Sequence, residues 1–296
     1  MIIIFSMSRS LDSREFKLIL KPKIFQDLNT GIKKVQKIID KEVRMLNGKF
    51  IPDSDLKQKL RRTYYLDTPK FRLKSKNFFL RVREDKESNK YDITLKCRHP
   101  DRYISSSYDL SNSMKKSTIK FEEDIIAPHI SKFSISVNFE ENQEPEINNL
   151  EKLKTIFPGL HTQDLGDEIL EKVNKFEAKE ISVKLGKISY NNNNDGEDGD
   201  DDDEIKTFLN LWYSPKNNKG KPVIVEFTYD YAAIKKKEEG KEQNKGKKEK
   251  KILIEEFPFS LVRNTYQFYN SFQDRKKIVD LKSSKTKTEF AYRYKQ

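Results

Sequence analysis

Several stretches of the chain alternate apolar and charged positions with period two. In FFLRVRED, Leu80 and Val82 fall on one face of an extended strand and Arg81 and Arg83 on the other. YDITLKCR repeats the arrangement, with Thr94, Lys96 and Arg98 opposing Ile93, Leu95 and Cys97. Glu15 and Lys17 align after Ser13 in REFKLIL, as do Lys120, Glu122 and Asp124 in STIKFEEDI, and Glu226, Thr228 and Asp230 oppose Val225, Phe227 and Tyr229. The pattern predicts strands over 14–20, over 62–98 around an LDTP turn and an EDKESNK loop, and over 117–125, 180–190 and 252–259. It also predicts a hairpin of 208–213 with 223–234, and a last strand near EFAYRY, residues 289–294.

A period of 3.6 appears elsewhere. Ile32, Val35, Ile38, Ile39, Val43 and Leu46 form one stripe of a helix over 31–46, and similar spacing predicts helices over 146–157, 164–176 and 261–273. Two architectures produce the charged strand faces: an open antiparallel sheet with one face in water, and a barrel whose charged face lines a lumen. In a lumen, mixed carboxylates and cations suit a metal-bound polyphosphate, because carboxylates hold Mg²⁺ or Mn²⁺ while Arg and Lys neutralise phosphate oxygens.

Composition narrows the field. Charged residues make up 36% of the 296 residues, yet 19 Phe and 13 Tyr supply the material of a folded core. The acidic run at 191–204 and the lysine-rich run at 235–251 fall between strands and read as disordered loop inserts of one domain beginning near residue 13. Eight acidic groups sit in 195–204, and nine Lys against four Glu in 235–251. Setting aside these contributions of −8 and +5 from the net +12 leaves +15 on the rest, which favours a polyanionic partner.

One cysteine, Cys97, excludes an internal disulfide, and with three histidines it cannot build a zinc site of the usual ligand types. MIIIFSMSRS is too short an apolar run for a signal peptide, and no later run has spanning length. A soluble protein of the cytoplasm is expected, with the nucleus also open and no membrane partner. RRM, KH and zinc-finger signatures are missing, and the aromatic residues fall on apolar faces, so they are assigned to core packing rather than base stacking.

Taken in order, Glu15-Phe16-Lys17, YYLDTP, FFLRVRED, ITLK, VIVEF, the carboxylates of ILIEE and the late TEFAYR resemble the CYTH, or triphosphate tunnel metalloenzyme, superfamily, from about Ser13 onward. Tripolyphosphatase and thiamine-triphosphatase-like members are the most similar. The resemblance implies an α+β fold: an eight-stranded antiparallel β-barrel with helices packed outside, binding and hydrolysing a triphosphate within. It implies phosphate contacts from Lys17, Arg81, Arg83, Lys96, Arg98 and Lys184, with a further cation from Lys285 or Lys287. It implies Mg²⁺ or Mn²⁺ on Glu15, Glu226 and one of Glu255 or Glu256, with Glu122 and Asp124 orienting the cations. Glu15, Lys17 and Glu226 are the implied catalytic set.

Substrates in the superfamily include inorganic tripolyphosphate, thiamine triphosphate, ATP and RNA 5′ ends. The chain departs from the family pattern in two places: Ser13 replaces the first carboxylate of E-x-E-x-K, and Glu255 and Glu256 are adjacent rather than alternate. Fewer carboxylates imply weaker metal binding, so a degenerate member that binds polyphosphate or RNA without cleaving it is the alternative.

Overall fold

The computed structural model describes residues 9–190, 204–215, 220–236, 254–282 and 286–295. Nine strands close into one ring. They are β1 (Ser13–Leu20), β3 (Gln58–Asp67), β4 (Phe78–Asp85), β5 (Tyr91–His99), β6 (Ser117–Ile126), β7 (Ile130–Glu141), β8 (Glu171–Tyr190), β9 (Ile205–Tyr213) and β10 (Ile224–Ala232). Around the ring they run β8-β3-β4-β5-β7-β6-β1-β10-β9, and β9 pairs back onto β8; β2 (Gly48–Pro52) lies outside, paired with β8.

The resemblance implies eight antiparallel strands, and the ring has nine. Nine strands cannot alternate in direction all the way round, so one neighbouring pair must be parallel. That pair is β1 with β6, Ser13 opposite Glu122; the other ring pairs are antiparallel.

Helices cover the outside. α1 (Leu28–Met45) starts at Asp27, whose side chain accepts from the Thr30 amide, and buries Ile32, Val35, Ile39 and Val43. With α5 (Phe259–Gln273) it covers Phe16 and Leu18 of β1, Phe227 and Tyr229 of β10 and Leu209 of β9. α4 (Leu150–Ile156) packs Leu150 and Leu153 with Leu80, Val82, Leu95 and Val137 from the adjoining wall. The short α2 (Arg72–Ser75) and α3 (Arg102–Ser107) complete this shell. α6 (Lys287–Arg293) packs Ala291 and Tyr292 with Tyr65, Phe176 and Trp212. Because helices claim the apolar face of every wall, the charged faces turn inward.

Two stretches depart from the predicted pattern. Residues 164–176 are expected to be helical, yet β8 already begins at Glu171. Asn174 and Lys175 both have φ near +51°, and the register with β3 slips there, so Leu170, Val173 and Phe176 are buried at a helix-like spacing of three. Residues 289–294 are expected to be extended but lie largely in α6, where Thr286 accepts from the Glu289 amide at the N-cap. β7 is an addition to the strands that the pattern predicts.

Residues 191–203 and 237–253 of the two charged runs lie outside the described residues, as does Lys285. Lys235 and Lys236 belong to β11 (Ile234–Lys236), paired with β12 (Ile254–Glu256) in a separate two-stranded sheet.

Candidate active site

The lumen is a cavity of about 510 Å³, and all nine ring strands contribute to its wall. Glu15, Lys17, Arg81, Arg83, Lys96, Arg98, Glu226 and Lys287 all line it. Lys287 arrives on α6 rather than on a strand, together with Thr286 and Thr288 at one end of the cavity. Lys184 does not line it. That side chain stands just before the register shift at Gly186, and its Nζ lies 3.7 Å from Asp53. The backbones of Glu255 and Glu256 belong to β12, outside the ring, and their side chains fall outside the described set.

Asp124 organises one wall. Lys17 Nζ lies 2.8 Å from Oδ1, and Lys96 Nζ and Arg98 Nη2 lie 3.1 and 2.7 Å from Oδ2. Burial alone would raise the pKa of this carboxyl, but Lys17, Lys96 and Arg98 hold it well below the usual range. Burial would lower Lys17, and Asp124, Glu15 and Glu226 outweigh it, so the ammonium is firmly retained. Lys96 is lowered, since burial and the nearby Lys17 and Arg98 charges outweigh Asp124.

Glu180 organises the opposite wall. It is fully buried, accepts from Trp212 Nε1 at 2.6 Å, and lies 3.2, 3.6 and 3.8 Å from Arg61, Arg83 and Lys287. Despite burial, Arg83 and Lys287 hold its pKa below the ordinary range. The sequence reading misses this residue, although Glu180 shares the strand face of Ser182, which lines the cavity.

Arg81 has a different position. Its Nη2 donates to Thr94 Oγ1 at 2.9 Å, it has no ion pair among the described residues, and its Nε has no hydrogen-bond partner there. Burial and the adjacent Arg83 lower its pKa. Eight basic side chains line the cavity against four acidic ones, so the surplus is positive even with Asp124 and Glu180 counted.

Residues 14–125 match the family model of the CYTH domain. The match spans β1 to β6 and with it Glu15, Lys17, Arg81, Arg83, Lys96 and Arg98. Among solved structures it is similar to a protein from Bacillus halodurans described as a candidate adenylate cyclase, at 16% identity over 76% of this chain and 82% of that one, TM-score 0.35. It is also similar to a candidate adenylyl cyclase from Hippeastrum described as having a dominant triphosphatase activity, at 13% identity over 96% and 95%, TM-score 0.38. At these scores neither likeness carries weight for the activity. No curated protein matches the sequence.

The remaining carboxylates of the lumen bear on a metal. Among the described residues, no three His, Cys, Asp or Glu side chains converge as a metal cage. Glu226 stands opposite Ile19, four residues along β10 from Asp230, and is held by Lys287 at 3.2 Å. Glu15 faces Asp230 directly across the β1–β10 ladder, and Ser13 donates to Glu122 at 3.1 Å. Burial, then Glu15 and Glu122, push the Asp230 carboxyl up to about 6. Glu15 is itself paired with Lys17 at 2.8 Å, so Glu15, Asp230 and Glu226 are the lumen carboxylates that could hold an ion shared with a ligand. Mg²⁺ commonly binds through one or two carboxylates plus substrate phosphates.

Proposed function

We propose that the lumen binds the triphosphate group of a small molecule or polyphosphate and hydrolyses a terminal phosphoanhydride, with Mg²⁺ or Mn²⁺ carried in on the phosphates. The observation that supports this reading is Arg81, a half-buried guanidinium with no ion pair among the described residues, next to Arg83 and facing a cavity with surplus positive charge. A buried cation is costly unless an anion joins it, and a row of phosphate oxygens supplies that anion.

Arg81, Arg83, Lys96 and Arg98 hold successive phosphoryl groups in line, while Asp124 and Glu180 fix the cations from behind. Glu15 and Asp230 hold the cation-bearing end. A divalent ion held by Glu15 and Asp230 would neutralise phosphate oxygens and favour ionisation of water. Lys287 sits 3.2 Å from Glu226 and closes the other end.

A second reading is a polyphosphate binder without turnover. It is favoured by Ser13 in place of a carboxylate and by the lack of a three-ligand cage among the described residues. Phosphate release from tripolyphosphate, thiamine triphosphate, ATP and 5′-triphosphorylated RNA, with Mg²⁺, with Mn²⁺ and with chelator, separates the two. Metal-dependent release from one of them supports hydrolysis. Calorimetric binding without release supports the binder, and no binding of any of the four refutes both.

A further inference from the structure

A second groove of about 540 Å³ lies where β5, β6 and β7 begin or end, lined by Lys90, Lys116, Thr118, Asn138, Phe139 and Glu140 among others. It continues the lumen face. Thr94 lines the main cavity, its hydroxyl is 2.8 Å from the Asn138 amide, and Asn138 is the register partner of Thr118. Lys120, two residues beyond Thr118 on the same face of β6, lines the main cavity and carries positive charge between the two. Lys116 is exposed and has no ion pair among the described residues; Lys90 contacts Glu140 at 3.3 Å, an exposed pair that a stronger anion can displace.

We infer that this groove takes the phosphate chain extending from a triphosphate end seated in the lumen, so that the preferred ligand is a linear inorganic polyphosphate longer than three units. The inference rests on the triphosphate reading of the lumen. Two features select an inorganic chain. The groove's lysines and amide, Ser and Thr groups donate to phosphate oxygens, and with Lys120 beside them Lys90 and Lys116 outnumber Glu140, so the local charge opposes a cationic organic group such as that of thiamine. Its one aromatic residue, Phe139, is 3% exposed and packs in the apolar layer behind, leaving no ring face on which a base could stack.

The test compares tripolyphosphate with polyphosphate of about fifteen units by calorimetry, affinities counted per chain end, in the full chain and in Lys90→Glu/Lys116→Glu. The wild type should bind the longer chain about 10-fold more tightly, the worth of a few exposed charge contacts. The double variant should lose that gain while keeping its tripolyphosphate affinity within about twofold. Equal affinity for both lengths in the wild type, or an undiminished gain in the variant, overturns the inference and leaves the lumen reading standing. A gain for 5′-triphosphorylated oligoribonucleotide but not for polyphosphate overturns it in favour of RNA. Failure to bind even tripolyphosphate refutes the underlying reading instead.

Discussion

Arg81 and Asp230, like Lys96, are groups in the lumen whose own environment opposes their charge. Arg81 has lost water and gained Arg83 as a neighbour, so a ligand-free protein bears its cost. Replacing it with the apolar Arg81→Met should leave the melting temperature unchanged or higher while weakening tripolyphosphate about 10- to 100-fold, the loss of a charge-assisted contact; calorimetry and thermal melts on one preparation check both. Asp230 has its pKa raised from 3.8 to about 6, so the folded state holds the proton more tightly than the unfolded one. Its contribution therefore favours folding at pH 4 and is lost as pH rises through about 6. Asp230→Asn should be more stable than wild type at pH 7.5, by roughly 1–3 kcal/mol, and equal to it near pH 4. Urea unfolding at the two values in chelator measures the difference, and a gain of the same size at both would show that the charge is not the cause.

At the scale of elements, Gly186 marks where β8 meets both β2 and β9. Its φ of +150° is one that side chains rarely adopt, and a Cβ there would run into the Ile51 carbonyl. Gly186→Ala should cost roughly 1–3 kcal/mol in unfolding experiments and leave the tripolyphosphate dissociation constant unchanged, since Gly186 does not line the cavity. The same strand shows what the sequence could reveal. Where pairing is regular, as at Arg81, Arg83, Lys96 and Arg98, period two assigns each side chain to the lumen correctly. Where β8 bulges at Asn174 and Lys175 the period breaks, and buried Leu170, Val173 and Phe176 imitate a helix stripe. Lys184 has the right face but lies beside a register shift and reaches Asp53 instead. In 289–294 the alternation of Phe290, Tyr292 and Tyr294 imitates a strand; the Thr286–Glu289 cap was the readable sign of α6. Glu180 was hidden for another reason: its role depends on Arg61, Arg83 and Lys287 from three other elements, which no local pattern relates.

For the molecule as a whole, a lumen with surplus buried cations makes a polyanion part of the stability. Tripolyphosphate at about 100 times its dissociation constant should add about 2.7 kcal/mol by mass action, raising the melting temperature by on the order of 5–10 °C, with orthophosphate doing far less. Differential scanning fluorimetry over a ligand series tests this, and an equal shift from orthophosphate would count against a site several phosphates long. The odd number of ring strands has a consequence for how the chain reaches this state. Because β1 takes the parallel place, Ser13 must find Glu122 on one side and Ala232 on the other, so the earliest ring strand in sequence is among the latest to be enclosed. Until β10 arrives, the walls bearing Lys17, Arg81, Arg83 and Arg98 can spread their repulsion into water. Ring closure is then the step at which that repulsion is concentrated, on top of the slow search for distant partners. Tripolyphosphate present during refolding should accordingly speed the final phase seen by tryptophan fluorescence, with the bound anion acting as a template around which the wall is drawn shut.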